Sequence, residues 1–273
     1  MTMSLLKNVL LPVDFSERSL EAALQAEVLA RQFQATVTVL HVVDPGENES
    51  GRFEPGGVKN RELEKLLTHD FAEGTVSRVV RDGNPVEEIV SFASSNPVDL
   101  IMMASHAYRP LETLAIGSVA AEVLRDANCP VWISVQADKE LPPRFRKVLC
   151  AVDLGPETKS VVNWGSRFAG AFQAQLSILH VFRSLESDEP PPDCPDEWLS
   201  LTERAELDKA RQHLGVTGQI VFAGGDIPEA VCRQARKFHS DLVVIGRPPK
   251  AGYVATLRIS DYIRMSPCPV VRI

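Results

Sequence analysis

The sequence is short of basic charge and of long apolar runs. Lys and Arg total 29 against 36 Asp and Glu in 273 residues, which gives a formal net charge of −7. A nucleic-acid binder or a binder of anionic membranes needs a basic face, so we expect neither nucleic acid nor membrane as a partner. No apolar run approaches the roughly 20 residues that span a bilayer. No cleavable leader is recognisable at the N-terminus, so we expect a cytoplasmic protein.

The five cysteines form no recognisable framework. They are odd in number, lie far apart and include no C-x-x-C pair, which fits neither a disulfide scaffold nor a zinc cluster. We therefore expect reduced thiols and no metal site. The sequence also offers no nucleophile–base pair and no P-loop, which argues against an enzyme.

An internal repeat organises the chain. Three short motifs recur at a constant separation: VLLPVD at 9–14 with VLCAVD at 148–153, VLHVV at 39–43 with ILHVF at 178–182, and Cys-Pro-Val at 129–131 and 268–270. The separation is 139 residues, as between Asp14 and Asp153. The repeat predicts two tandem domains, 1–137 and 146–273, joined by a polar stretch that contains Pro142-Pro143.

Each copy alternates β-branched runs with amphipathic stretches, which predicts a parallel α/β sheet. The strands predicted in the first copy are 8–13, 36–42, 75–81, 98–103 and 131–135. The helices predicted there are 18–34, with Leu20, Ala23, Leu24 and Val28 facing the core, and about 85–95, after the cap signal at Asn84-Pro85. Asp226-Ile227-Pro228-Glu229 repeats that signal in the second copy. We predict a doubly wound, five-stranded sheet of order 3-2-1-4-5 in each copy.

The last strand of each copy, 131–135 and 269–273, is predicted at a sheet edge. Apolar edge strands need covering. We therefore predict that the two domains pair as an intramolecular pseudo-dimer through these strands. A homodimer or a protein partner that uses another face is left open.

The predicted fold also indicates where a ligand would bind. In a doubly wound sheet this is the crevice beyond the carboxyl ends of strands 1 and 4, where the strand order reverses. Asp14 and Asp153 follow the first strands, and the segments after the fourth strands begin at Ala104 and Gly246. An acid there can hold a ribose hydroxyl or a base amino group, and a helix N-terminus can hold phosphates. The alternative role for Asp14 is to cap the next helix.

These motifs resemble those of the universal stress proteins over most of both copies. The resemblance implies an adenine nucleotide alpha hydrolase-like fold. In the nucleotide-binding branch of that family it also implies a G-x2-G-x9-G-[ST] motif after strand 4. The first copy reads Ala104, Ala107, Gly117 and Ser118 at the motif positions, and the second reads Gly246, Pro249, Ile259 and Ser260.

The resemblance implies an ATP or AMP site in the first copy, with Mg²⁺ as an accompanying ion. Its residues would be Pro12, Asp14, Val42, Ala104, Ala107, Gly117, Ser118 and Val119. The counterparts Asp153, Val181, Gly246 and Ser260 would form a degenerate site in the second copy, where Ala151 stands in place of the proline. There Pro249 removes an N–H group and Ile259 places a branched side chain where a phosphate would enter.

The sequence therefore predicts a non-catalytic stress-response protein with a regulatory adenine nucleotide in its first copy. The alternatives are an interaction or scaffold module without nucleotide in either copy, favoured by the two alanines in the glycine pattern, and a slow ATPase.

Several further polar residues have two possible roles. His106 and Arg109 either add charge at the phosphates or form a solvated loop pair. His41 and His180, flanked by apolar residues, are predicted to be structural, with a ligand or general-base role as the alternative. The acidic segment 186–197, followed by Trp198, is a solvated loop or a site for a protein partner.

Overall fold

The computed structural model describes residues 4–44, 75–105, 118–135, 144–182, 218–247 and 260–273. The chain divides into two compact units, Met1–Pro143 and Arg144–Ile273. The alternation of β-branched and amphipathic stretches predicted an α/β fold with parallel strands in both copies, and this prediction is confirmed. None of the described helices combines the length and apolarity that a bilayer span requires.

The first unit is a parallel sheet with helices between its strands. Its described strands are β1 (Asn8–Pro12), β2 (Thr36–Val43), β3 (Val76–Asp82), β4 (Leu100–Ala104) and β5 (Val131–Ser134), and its described helices are α1 (Glu17–Phe33), α2 (Pro85–Ser95) and α3 (Ser118–Asp126). The strands lie in the order β3-β2-β1-β4-β5, and each neighbouring pair is parallel. β4 and β5 are buried along their whole length, as expected for strands covered on both faces.

The second unit repeats this arrangement. Its described strands are β6 (Lys147–Val152), β7 (Gln175–Phe182), β8 (Gln219–Gly224), β9 (Leu242–Ile245) and β10 (Val270–Arg272), and its helices include α4 (Thr158–Phe172) and α5 (Ile227–Phe238). A short helical segment covers residues 260–265. The order β8-β7-β6-β9-β10, again parallel throughout, is the predicted 3-2-1-4-5 order.

The predicted strands of the first copy are confirmed, with the largest shift in the fourth. That strand begins at Leu100 rather than at residue 98 because Asp99 has another role. Its carboxylate accepts hydrogen bonds from the backbone N–H groups of Lys7 and Asn8, at 2.7 and 2.9 Å. Asp241 makes the same contacts in the second unit, with the N–H groups of residues 146 and 147. Each acid thus fixes the start of the first strand beside the fourth.

The predicted helix starts are confirmed. Asn84 Oδ1 accepts hydrogen bonds from the N–H groups of Val86 and Glu87, and Asp226 Oδ1 accepts one from that of Glu229. Such caps satisfy N–H groups that have no partner inside the helix. The two proline-containing cap signals therefore perform the same local task in both copies.

The core-facing stripe predicted for α1 is wrong at Leu20 and Leu24 and correct at Ala23, which is buried. Leu20 and Leu24 are 41% and 42% exposed. The buried face consists mostly of small residues, with the larger Leu29 and Phe33 near the C-terminal end of the helix. Its members are Ser19, Ala22, Ala23, Ala26, Leu29, Ala30 and Phe33. Small side chains let the helix approach the sheet closely. Close packing therefore determines which face of α1 is buried, and the hydrophobicity of the two leucines does not.

The beginning of the second unit lies within the stretch predicted as a linker. Phe145 is buried, and its ring lies 5.3 Å from that of Phe168 and 5.1 Å from that of Phe172, both in edge-on geometry. Edge-on aromatic pairs of this kind add to the stability that burial provides. Phe145 is therefore a core residue of the second unit.

Candidate functional site

The predicted site of the first unit lies at the carboxyl ends of β1, β2 and β4. β1 pairs with β2 on one side, up to Pro12 opposite Leu40, and with β4 on the other. Because all three strands are parallel, the residues that follow Pro12 and Ala104 lie at the same edge of the sheet. Pro12 and Val42 are half-buried there, and Asp14 is exposed.

Asp14 binds the residue that caps α1. Its Oδ1 accepts hydrogen bonds from the backbone N–H of Ser16, at 3.0 Å, and from the hydroxyl of Ser16, at 2.6 Å. Ser16 is the N-cap residue, and its side chain accepts a hydrogen bond from the N–H of Ser19. Asp14 therefore orients the capping residue while its carboxylate remains exposed at the edge of the sheet.

The turn after the first strand is strained in the same way in both units. Phe15 has a φ of 61° and Leu154, its counterpart, a φ of 60°. A non-glycine residue in the left-handed region costs on the order of 1–2 kcal/mol, and such strain tends to occur at functional sites. The Phe15 ring lies 4.8 Å from the imidazole of His41, which places an aromatic contact beneath this turn.

His41 and His180 each make a hydrogen bond to the end of the first strand of their unit. His41 Nδ1 lies 2.8 Å from the carbonyl oxygen of Val13, and His180 Nδ1 lies 2.9 Å from that of Val152. A carbonyl oxygen only accepts hydrogen bonds, so each Nδ1 carries a proton. Both side chains are buried and connect the second strand of a unit to the end of its first.

Arg18 lies beside the end of β4. It is in the first turn of α1, and its Nη1 donates a hydrogen bond of 3.3 Å to the carbonyl oxygen of Ser105. The residue at the equivalent position of the second copy, 139 residues later, is Glu157. The two copies therefore carry opposite charges at the same place in the repeat.

The remaining first-copy residues are only partly described. Ala104 is buried at the end of β4 and is paired with Ser134; it does not have a positive φ. Ser118, the first residue of α3, is exposed, and Val119 is half-buried. The predicted residues Ala107 and Gly117, together with His106 and Arg109, lie outside the described residues, as do the segment 186–197 and Trp198.

A cavity of about 390 Å³ occupies the corresponding place in the second unit. Its walls are mainly apolar side chains, and the residues that line it are Ala151, Val152, Asp153, Glu157, Thr158, Val161, Leu179, His180, Val181, Ile227, Pro228, Val231, Ile245, Gly246, Arg247 and Tyr262. Three of the four predicted second-copy residues, Asp153, Val181 and Gly246, are among them. Ser260 is half-buried at the start of the short helical segment and is not part of the lining.

Gly246 has a packing role. A Cβ atom there would lie 3.2 Å from Glu157 Cβ and 3.3 Å from a methyl group of Val161, and its φ is not in the left-handed region. The glycine therefore allows the end of β9 to approach the first turns of α4. Its agreement with the nucleotide motif has a structural cause within this unit.

Asp153 and Tyr262 are two polar residues of the cavity lining. Asp153 is exposed and accepts a hydrogen bond of 2.8 Å from the N–H of Gly155. Burial raises the pKa of Tyr262 well above its ordinary value, and Cys232, Asp226 and Asp153 contribute in the same direction. The phenol thus stays neutral, in surroundings that disfavour negative charge.

Sequence reasoning missed several residues of the two sites. Arg18, Glu157 and Thr158 lie in helices whose polar faces look ordinary in sequence, and Tyr262 comes from a distant segment. Comparison of equivalent positions in the two copies would have revealed the exchange of Arg18 for Glu157. Within the described residues, no group of three or more His, Cys, Asp or Glu side chains is arranged to hold a metal ion.

Comparison with known proteins agrees with this architecture. A model of the universal stress protein family matches residues 6–134 and 144–273. A universal stress protein from Methanocaldococcus jannaschii is 32% identical over 148 residues, which cover 50% of this chain and 86% of that protein. The chain therefore belongs to the universal stress protein family.

A solved universal stress protein structure shares the fold. A universal stress protein from Archaeoglobus fulgidus is similar over 97% of this chain and 95% of its own, with a TM-score of 0.72 at 20% identity. A universal stress protein solved in complex with cAMP is similar over 47% of this chain and 97% of its own, with a TM-score of 0.40 at 16% identity. The cAMP complex is a property of that protein.

Proposed function

We propose that the protein is a non-catalytic stress-response protein whose first copy binds ATP or AMP as a regulatory ligand. The observation that carries the proposal is the position of Arg18, whose Nη1 lies 3.3 Å from the carbonyl oxygen of Ser105 at the carboxyl end of β4. The nucleotide motif of the family begins at this point of the chain. A guanidinium group there supplies positive charge and hydrogen-bond donors suited to phosphate oxygens.

The other end of the ligand has a candidate acceptor in Asp14. Its exposed carboxylate lies beyond β1, and a carboxylate at such a switch point can accept hydrogen bonds from ribose hydroxyl groups or from a base amino group. The exposed Ser118 begins α3. The first N–H groups of a helix have no partner within it and favour an anion.

The alanine at the first motif position is compatible with this proposal. Ala104 is part of β4 and does not occupy the left-handed region. Its replacement of glycine therefore costs no backbone strain. The proposal needs only that the phosphates approach the chain after this residue.

Calorimetric titration of the full-length chain with ATP, with and without Mg²⁺, tests the proposal. We expect at most one site per chain. Asp14→Ala and Gly117→Val should abolish ATP binding. Arg18→Gln should weaken the binding of ATP more than that of adenosine, because adenosine carries no phosphate. Asp153→Ala, the matched change in the second copy, should leave ATP binding intact. Two equivalent ATP sites, or loss of ATP binding in Asp153→Ala alone, would contradict the assignment to the first copy.

The non-catalytic part of the proposal has its own test. Phosphate release should stay at the rate of the buffer when the pure protein is incubated with Mg²⁺ and ATP. Steady release that is lost in Asp14→Ala would show a slow ATPase instead. Mass spectrometry of whatever the freshly purified protein releases on denaturation should detect ATP or AMP; its absence, together with no heat on titration, would favour an interaction module.

A further inference from the structure

The cavity of the second unit differs in chemistry from the first-copy site. The exchange of Arg18 for Glu157 places a carboxylate on the cavity wall at the repeat position where the first copy has a guanidinium group. Asp153 adds a second carboxylate. Arg247 also lines the cavity, so among the described residues its wall carries two acids and one guanidinium, a balance that opposes a ligand with several negative charges.

Thr158 contributes a buried hydroxyl group to the cavity wall. The residue lines the cavity and is only 8% exposed. Its Oγ1 is buried and has no hydrogen-bond partner in the described part of the chain. A buried hydroxyl without a partner costs about 1–3 kcal/mol, so a molecule in the cavity that hydrogen-bonds to this oxygen would remove that cost.

The remaining groups set the polarity and size of the occupant. His180, which also lines the cavity, donates its Nδ1 proton to the carbonyl oxygen of Val152. With the carboxylates of Asp153 and Glu157, hydrogen-bond acceptors are well represented on the wall, and the remainder is mainly aliphatic. The volume of about 390 Å³ lies toward the lower end of the roughly 300–1,000 Å³ typical of small-molecule sites.

We propose that this cavity binds an uncharged, nucleoside-sized molecule with an apolar body and N–H or O–H donor groups, and that it discriminates against phosphorylated forms. The donors would meet the carboxylate of Asp153 and the hydroxyl of Thr158, while the aliphatic wall covers the ring system. Glu157 repels a phosphate. The inference does not depend on nucleotide binding by the first copy.

Adenosine and AMP are the probes, because they differ only by the phosphate. The titration uses the full-length chain with Asp14→Ala, which removes the proposed first-copy site. Adenosine should bind at one site per chain, and AMP should bind at least about tenfold more weakly. Equal affinities, or no binding of adenosine, would overturn the proposal.

Two variants in the same Asp14→Ala background locate the site. Thr158→Val removes the hydroxyl and should weaken adenosine binding by about threefold to tenfold, which corresponds to the loss of one hydrogen bond. Thr158→Ser keeps the hydroxyl and should keep the affinity for adenosine. Because the hydroxyl has no partner in the described protein, Thr158→Val should not lower the melting temperature. Unchanged adenosine affinity in Thr158→Val would overturn the assignment.

Glu157→Arg tests the discrimination directly, because it installs the residue of the first copy. The preference for adenosine over AMP should shrink by about tenfold or more, as expected when a repulsive charge becomes an attractive one. An unchanged preference would contradict the role of Glu157. Failure of ATP to bind the wild-type chain, with adenosine binding retained in Asp14→Ala, would reject the proposed function and leave this inference standing.

Discussion

The Nδ1 atom of His41 lies 2.8 Å from the carbonyl oxygen of Val13, and 28 residues separate them along the chain. The same contact, with the same separation, joins His180 to Val152 in the second unit. Each bond connects β2 or β7 to the end of the first strand of its unit, just before the left-handed turn. The histidine therefore fixes the backbone from which Asp14 or Asp153 projects.

Replacing His41 should lower stability before it affects any ligand. His41→Leu removes the donor to a buried carbonyl and should reduce the free energy of unfolding by about 1–3 kcal/mol. His41→Asn places an amide N–H near the position of Nδ1 and should lose less. Urea unfolding of the two variants measures the difference. Equal losses would mean that the Val13 hydrogen bond contributes little.

Gln25 satisfies two buried donors in the first unit. Its Oε1 accepts hydrogen bonds from Trp132 Nε1, at 2.9 Å, and from the hydroxyl of Ser134, at 2.7 Å. Gln25→Leu removes this acceptor and should destabilise the chain by about 1–3 kcal/mol. Gln25→Glu retains an acceptor oxygen and serves as the control. If both variants unfold at the wild-type urea concentration, the contact between α1 and β5 is not important for stability.

Gly165 lets α4 pack against β6. A Cβ atom there would overlap with Cys150 Sγ, while the Cβ of Cys150 is 3.9 Å away. Gly165→Ala should therefore destabilise the second unit by about 1–3 kcal/mol through overpacking. Combination with Cys150→Ala removes the sulfur atom and should restore part of the loss. A double-mutant cycle measures this coupling, and additive effects of the two changes would contradict the overlap.

The buried thiols should resist alkylation. Burial raises the pKa of Cys150 and of Cys232 from 9.0 to about 12, so little reactive thiolate is present at pH 8. Iodoacetamide labelling followed by peptide mass spectrometry should modify the half-buried Cys129 before Cys150 or Cys232. In denaturant all three should react alike. Labelling of Cys150 at the rate of Cys129 in the folded protein would contradict this expectation.

The same pKa shift has a consequence for stability. Above pH 9 the unfolded chain loses the proton of Cys150, whereas the folded chain retains it until about pH 12. The unfolded state then binds fewer protons, so the stability contributed by the buried thiol falls as the pH rises through this range. Cys150→Ala should make the decline in melting temperature between pH 9 and 11 shallower.

A fragment that ends at Gln136 should associate with itself. In the first unit β5 is the last strand of the sheet, and its residues Val131 and Ile133 are apolar. An isolated first copy would expose an edge that can template strand pairing. Sedimentation should show a dimer or larger species. A soluble monomer as stable as the full-length chain would contradict the expectation that the edge strand needs covering. The pairing of the two copies stays a prediction.

The repeat predicted the two copies, and the alternation of β-branched and amphipathic stretches within each copy predicted the strands. Asn84 and Asp226 marked helix starts because capping is a local interaction between residues close in sequence. The face of α1 was predicted wrongly, since Leu20 and Leu24 are apolar but do not point into the core. The fourth strand was placed too early because the role of Asp99 depends on Lys7 and Asn8, which lie more than 90 residues away.

The candidate site was predicted in part. Asp14 and Asp153 were found from their position after a strand, and Val181 and Gly246 from the family motif. Arg18, Thr158 and Tyr262 were missed, since a helix residue reaches the end of a strand only when the two are packed together. The motif also suggested a phosphate role for Gly246, whereas its contact with Glu157 and Val161 explains it.

The sequence by itself determined the duplication, the α/β class and the edge of the sheet where the candidate sites lie, because these follow from periodicity and from the order of the elements. The tertiary structure decided what that edge contains. Glu157 and Thr158 border a cavity in the second unit, and Arg18 reaches the end of β4 in the first. The sequence specifies the chemistry of each side chain, but the distance between two charged groups is fixed only when the helices pack on the sheet.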